Sequence, residues 1–170
     1  IEGIVSSCIG ASLANPSQLC FAFVGDLSFF YDMNSIGNRE IKGNLRVLVV
    51  NNGHGQEFEN YNHAASYLGD DVNKYVAAAG HFGCKSFDLV KHYAIDLGFE
   101  YLSAKTCEEF DGVYQKFLRA NTDGKPILFE VFTSENGENT ALKASRNVIV
   151  DKQLLAKRKI RNVISKIKNL

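Results

Sequence analysis

Two periods alternate along this chain. Cys20-Phe-Ala-Phe-Val24, Leu45-Arg-Val-Leu-Val-Val50, Phe99 to Leu102 and Pro126-Ile-Leu-Phe-Glu-Val-Phe132 are short apolar runs rich in β-branched and aromatic residues. That is the pattern of strands buried on both sides. Between them, apolar positions recur at helical spacing. Gly3 to Ala14 reads as a helix stopped by Asn15-Pro16, and Ser28 reads as the cap of a helix through Phe29, Phe30, Met33 and Ile36 that ends near Gly37-Asn38. After a polar stretch, His63 to Leu68 and then Val72 to Ala79 look helical. Ser86 to Leu97 is an amphipathic helix capped by Ser86 and closed by Gly98, and Thr106-Cys-Glu-Glu opens a helix to about Ala120. Helix and strand in alternation predict an α/β fold, a mostly parallel sheet with helices on both faces. Right-handed crossovers place the ends of the first two strands side by side or nearly so.

The tail carries Lys157, Arg158, Lys159, Arg161, Lys166 and Lys168, which by themselves suggest a nucleic-acid patch. Ile160, Val163, Ile164, Ile167 and Leu170 recur among them at helical spacing, so an amphipathic terminal helix packed on the body is the better reading. The expected organisation is a domain over 1–150 with the helix of 151–170 laid on it.

Composition narrows the partners. The 170 residues hold 19 basic and 19 acidic side chains, so no net charge draws the chain to nucleic acid. No apolar run is long enough to span a membrane, and no signal sequence is present. Cys8, Cys20, Cys84 and Cys107 lack paired ligand spacing and read as reduced thiols of a cytoplasmic protein. The chain opens at Ile1, without a methionine and inside a motif, which suggests a piece of a longer protein.

The chemistry gathers where two strands end. Gly25-Asp26-Leu27-Ser28 follows the first, and Asn51-Asn52-Gly53-His54-Gly55-Gln56-Glu57-Phe58 follows the second, with 26 residues from Asp26 to Asn52. Ligands of parallel sheets bind beyond the carboxyl ends of strands, so Asp26 and Asn52 are expected at one edge. A carboxylate, an amide oxygen and the carbonyls of a glycine loop form a hard-oxygen set suited to Mg²⁺ holding a phosphate group. The plain alternative is two unrelated turns. Either half alone supports that alternative; the spacing and the strands together support the metal.

These segments resemble the diphosphate-binding motif of the thiamine-diphosphate enzymes, Gly-Asp-x followed about 26 residues later by Asn-Asn. Ile1-Glu-Gly-Ile-Val-Ser-Ser, Leu27 and Gly55-Gln56-x-Phe58 are similar to the menaquinone-pathway (SEPHCHC) synthase branch of that family. The resemblance implies thiamine diphosphate and Mg²⁺ as cofactors. It gives Asp26, the Asn52 side-chain oxygen and the His54 backbone carbonyl as metal ligands, with Gly53 and Gly55 letting the loop aim that carbonyl inward. Gly3, Ser6, Gly25, Leu27, Ser28, Gly55 and Gln56 would surround the cofactor, with Ile1 wedged beneath it, although Ser6 equally reads as a residue that merely starts a helix. Leu27 and Ser28 offer amides at a helix start to the diphosphate, although Ser28 is equally a simple cap. The implied reaction is decarboxylation of a 2-oxo acid and addition of the resulting carbanion to a small-molecule acceptor. In that family the activating glutamate lies on a separate pyrimidine-binding domain and the active site forms between chains of a homo-oligomer, and the resemblance implies the same here. Residues 1–170 alone are therefore expected to be inactive.

Glu57 and Phe58 lie where the family places substrate-facing residues. Glu57 stands where the branch carries an apolar residue. It reads either as an acid-base or substrate-selecting group or as a solvated loop acid. Among the histidines, His92 reads as structural, His81 is ambiguous, and His63 is a candidate for substrate contact. Rival readings are a thiamine-diphosphate carboligase or decarboxylase of another pathway, a non-catalytic relic of the fold, and a dinucleotide-binding domain. The last lacks its Gly-x-Gly-x-x-Gly at Gly25.

Overall fold

The computed structural model describes residues 3–59, 63–75 and 86–146, together with Ile160. Each predicted strand is present: β1 (Cys20–Gly25), β2 (Leu45–Asn51), β3 (Glu100–Ala104) and β4 (Ile127–Phe132). They form one sheet in the order β1-β2-β4-β3, and every pairing is parallel. The first two strands are neighbours, as right-handed crossovers require.

Helices cover both faces. On one, α1 (Ile4–Ala14), α2 (Asp26–Asp32) and α5 (Leu89–Asp96) bury Val5, Ile9, Phe29, Val90 and Ala94 against Val24, Val47, Val49 and Leu128. On the other, α6 (Cys107–Phe117) sets Phe110 and Phe117 on Leu102, Ile127 and Phe129. Residues of β2 alternate between these faces, which is why that run has no polar side. Helix α6 leaves the outer edge uncovered: Phe21 touches Phe117 edge-on, and Phe23 remains 64% exposed.

Several boundaries differ from the expectation. Ser28 is not a cap: α2 begins at Asp26 with Gly25 in extended conformation before it, and Asp26 Oδ1 accepts from the Leu27 amide at 2.9 Å. The strand passes into the helix without a loop, so Ser28 lies inside the first turn. Beyond Asp32 the helix tightens into a 3₁₀ segment, Met33–Gly37. Helix α5 starts three residues after Ser86, whose hydroxyl accepts from the Asp88 amide, and it closes at Gly98, where φ is 86°. Left-handed backbone of that kind favours glycine. Thr106 does cap α6, accepting from the Glu109 amide, while Glu109 reaches back to the Lys105 amide.

Short elements follow β2: α3 (Gln56–Glu59), a 3₁₀ segment over Ala64–Asp71, and α4 (Val72–Tyr75). The remainder of the helix expected to Ala79, along with His81 and Cys84, lies outside the described residues. So do Ile1 and the expected terminal helix, except Ile160, which is helical and exposed. Helix α7 (Glu135–Arg146) had no counterpart in the sequence pattern. The chain divides into two compact units, 1–135 and 136–170, and most of α7 belongs to the second. No described helix is long and apolar enough to cross a membrane.

Two residues tie β2 to α6 and the loop after it. A Cβ on Gly43 would stand 2.1 Å from the Gly124 carbonyl oxygen, so only glycine fits at that crossing. Arg46 is fully buried within β2, and its guanidinium donates to the carbonyls of Gly43, Leu45, Phe117, Arg119 and Asn121. A cation at the carboxyl end of a helix satisfies carbonyls that have no partner within it. Burial and nearby Arg119 lower the Arg46 pKa, and Glu100 opposes them.

Candidate functional site

Register brings the two motif segments together. Gly25 pairs with Val50, so Asp26 follows that rung on β1 while Asn51 and then Asn52 follow it on β2. Asp26 is 2% exposed. A carboxylate is seldom buried so completely without a partner charge or ligand.

The loop after β2 is shaped by its own asparagines. Asn52 Oδ1 accepts from the His54 amide at 2.8 Å, and Asn51 Oδ1 accepts from the Gly53 amide at 3.2 Å. Gly53 has φ 76°, so the left-handed turn rests on it. Gly55 is not among the glycines with positive φ; its carbonyl instead accepts from the Phe58 amide at the start of α3. Loop freedom was expected from both glycines and is used at the first. A Cβ on Gly25 or Gly53 would meet nothing within 4 Å, so open space borders both glycines.

The other expected residues take these places. The Ser6 amide donates to Asp32 Oδ2 at 2.7 Å, joining the first turn of α1 to the end of α2, and Gly3 precedes that turn with φ 85°. Leu27 is buried, its amide turned to Asp26, and Ser28 is half-buried. Gln56 and His54 are half-buried, whereas Glu57 is exposed. Phe58 meets His63 edge-on at 4.9 Å between ring centres. His63 Nδ1 accepts from the Ala65 amide, which caps the 3₁₀ segment. The Asn52–Gly55 loop, the start of α3 and His63 thus form one run of contacts. His92 is exposed on α5.

The sequence reading missed the support beneath the loop. Glu130 of β4 is fully buried; Oε1 accepts from Asn51 Nδ2 at 2.5 Å and Oε2 from the Tyr101 hydroxyl at 2.6 Å. Burial pushes the Glu130 carboxyl above the ordinary range, against the pull of those two hydrogen bonds. Burial, with the hydrogen bond to Glu130, holds the Tyr101 phenol well above its usual value. The available signal was a lone acid in the apolar run Ile127-Leu-Phe-Glu-Val-Phe132, because such a residue must find donors inside.

Mg²⁺ prefers octahedral oxygen coordination and is commonly held by one or two carboxylates, with phosphates supplying other positions. Asp26, the Asn52 amide oxygen and the loop carbonyls match that donor set, and the space before Gly25 and Gly53 leaves room for a ligand. Among the described residues, no group of three His, Cys, Asp or Glu forms a self-contained metal cage. A metal here would draw on phosphate oxygens.

No family model matches the chain. It is 33% identical over 143 residues to the 2-succinyl-5-enolpyruvyl-6-hydroxy-3-cyclohexene-1-carboxylate synthase of Phocaeicola vulgatus, covering 84% of this chain and 24% of that protein. The enzyme of the same name from Bacteroides thetaiotaomicron is 32% identical over the same shares. That from Christiangramia forsetii is 33% identical over 134 residues, 78% of this chain and 21% of the relative. The chain therefore spans about a quarter of the length of these relatives. Over most of its own length the chain is similar to the SEPHCHC synthases, which supports its being a fragment of a thiamine-diphosphate-dependent enzyme of that kind.

Proposed function

We propose that this chain is the diphosphate- and Mg²⁺-anchoring part of a thiamine-diphosphate enzyme. The whole protein would decarboxylate a 2-oxo acid and join the resulting carbanion to an acceptor, as in the SEPHCHC step of menaquinone biosynthesis. The observation that carries this reading is the buried carboxylate of Asp26 set by strand register beside Asn51-Asn52. Asp26, Asn52 and the His54 carbonyl would hold the metal. Ser28, Gly25 at the end of β1 and the glycine turn at Gly53 would border the diphosphate, with Gly3, Ser6, Leu27, Gly55 and Gln56 around them. Thiamine diphosphate, when bound, supplies the carbanion-stabilising chemistry. The chain's own residues anchor it, orient it and limit water. The activating glutamate would come from a pyrimidine-binding domain, across a homo-oligomer interface.

The test is a full-length assay with 2-oxoglutarate and isochorismate. Product formation that requires both thiamine diphosphate and Mg²⁺ is expected. Turnover without either cofactor would overturn the proposal.

A related carboligase with another donor is the second reading, and Glu57 favours it. This acid is exposed at the start of α3, directly after the loop, where its charge would disfavour an anionic donor. Where the rest of the full-length protein covers Glu57 so that it faces the substrate, one misplaced charge pair would be worth on the order of 1 kcal/mol or more. Glu57→Leu is therefore expected to raise kcat/KM for dicarboxylic over monocarboxylic 2-oxo acids by about tenfold. A donor panel run on both full-length proteins checks it; a uniform change would place Glu57 in solvent.

A further inference from the structure

Four groups run in a line from the sheet interior to the candidate loop. The Tyr101 hydroxyl on β3 donates to Glu130 on β4, Glu130 accepts from Asn51 on β2, and Asn51 accepts from the Gly53 amide. Glu130 is fully buried and Asn51 is 3% exposed, so water does not replace these bonds. Asn51 is held a second time through its backbone, whose carbonyl accepts from the Thr133 amide at 2.9 Å.

The direction of the line matters. A side-chain amide has a donating end and an accepting end. Facing a carboxylate, Asn51 must turn its Nδ2 inward, which turns Oδ1 outward onto the Gly53 amide. Gly53 is the residue in left-handed conformation, and the next residue is His54, whose amide meets Asn52 Oδ1. The acid at 130 thereby sets which way Asn51 faces, and Asn51 sets the turn that presents Asn52 and the His54 carbonyl.

We propose that Glu130 is a positioning residue for the Asn52–Gly55 loop, acting through Asn51 with Tyr101 as its second donor. The link to cofactor affinity rests on the metal–diphosphate reading of that loop; the link to loop conformation does not.

Glu130→Gln is the informative substitution because it keeps the volume and removes the acceptor pair. An amide can accept from Asn51 or from Tyr101 with its oxygen, and it meets the other with an NH₂ group. Tyr101→Phe is the milder companion, since it leaves the carboxylate and removes one donor. Both are made in the full-length protein. Hydrogen exchange without cofactor, read on peptides covering 51–58, should be accelerated about tenfold in Glu130→Gln and less in Tyr101→Phe. Calorimetry with thiamine diphosphate at fixed Mg²⁺ should show affinity weakened tenfold or more in Glu130→Gln, the scale seen when a group supporting a metal ligand is removed. The value of kcat at saturating cofactor should stay within about twofold of wild type.

Unchanged exchange at 51–58 in both variants overturns the positioning role. Faster exchange with unchanged cofactor affinity, in a wild type that binds, overturns the link to the site. A wild type that binds no thiamine diphosphate overturns the functional reading instead, and the exchange result then stands by itself.

Discussion

Full-length protein carrying Asp26→Ala is expected to lose Mg²⁺-dependent thiamine diphosphate binding by at least a hundredfold while its fold persists. The carboxylate is the one charged group in the proposed ligand set, and it is preformed: 2% exposed, at the first residue of α2, with Oδ1 on the Leu27 amide. Phosphate oxygens repel one another unless a cation joins them, so weakening the metal site weakens the diphosphate with it. A hundredfold change corresponds to about 2.7 kcal/mol. Removing the bond to Leu27 costs roughly 1 kcal/mol, and relief from burying a charge offsets part of it. Asp26→Asn separates charge from shape, since it keeps an oxygen and loses the negative charge. Calorimetry on wild type and both variants, with and without Mg²⁺, measures the effect. Affinity in Asp26→Ala equal to wild type would remove Asp26 from the metal site.

Local pattern carried the strands and most helix positions. β2 was legible because Leu45 to Val50 is apolar on both faces and bounded by glycine and asparagine. Thr106 was legible as a cap because capping is a contact over three residues. Ser28 was misread for a related reason: a serine before an apolar run signals a cap, but the turn chemistry was already supplied by Asp26. The motif pointed to Asn52, while Asn51 looked like its bystander. Its contact is with Glu130, 79 residues away, and no local spacing encodes a contact of that range. The limit is physical: propensity and capping act within a turn, whereas the support of the loop depends on which strands become neighbours.

Arg46 shows the same limit and gives the second large expectation. In sequence it is one basic residue in an otherwise apolar strand, and nothing local to it names its partners. In the fold it lies beneath α6 and donates to five carbonyls, those of Gly43, Leu45, Phe117, Arg119 and Asn121. Two elements depend on it: the carboxyl end of α6 and the chain that returns to β4. Arg46→Met keeps much of the volume and removes every donor. The stranded carbonyls then carry the cost of lost charged hydrogen bonds, about 1.5–3 kcal/mol for each that water cannot replace. Gly43 lies in the crowded crossing with Gly124 and Leu45 is fully buried, so water has little access to either. Relief of the repulsion from Arg119 and of the buried charge itself offsets part of the loss. The net expectation is destabilisation on the order of 3–5 kcal/mol, among the larger effects a single substitution produces. Arg46→Lys should recover less than half of it, because an ammonium has three donors and no planar fork to span both sides of the helix end. Hydrogen exchange in the full-length protein under increasing urea, read on peptides covering 43–51 and 107–132, reports the unfolding of this sheet even if the rest of the protein unfolds separately. Loss of protection at lower urea in Arg46→Met than in wild type, with Arg46→Lys between them, is the expected order. Equal midpoints for Arg46→Met and wild type would show that α6 holds its end without the guanidinium.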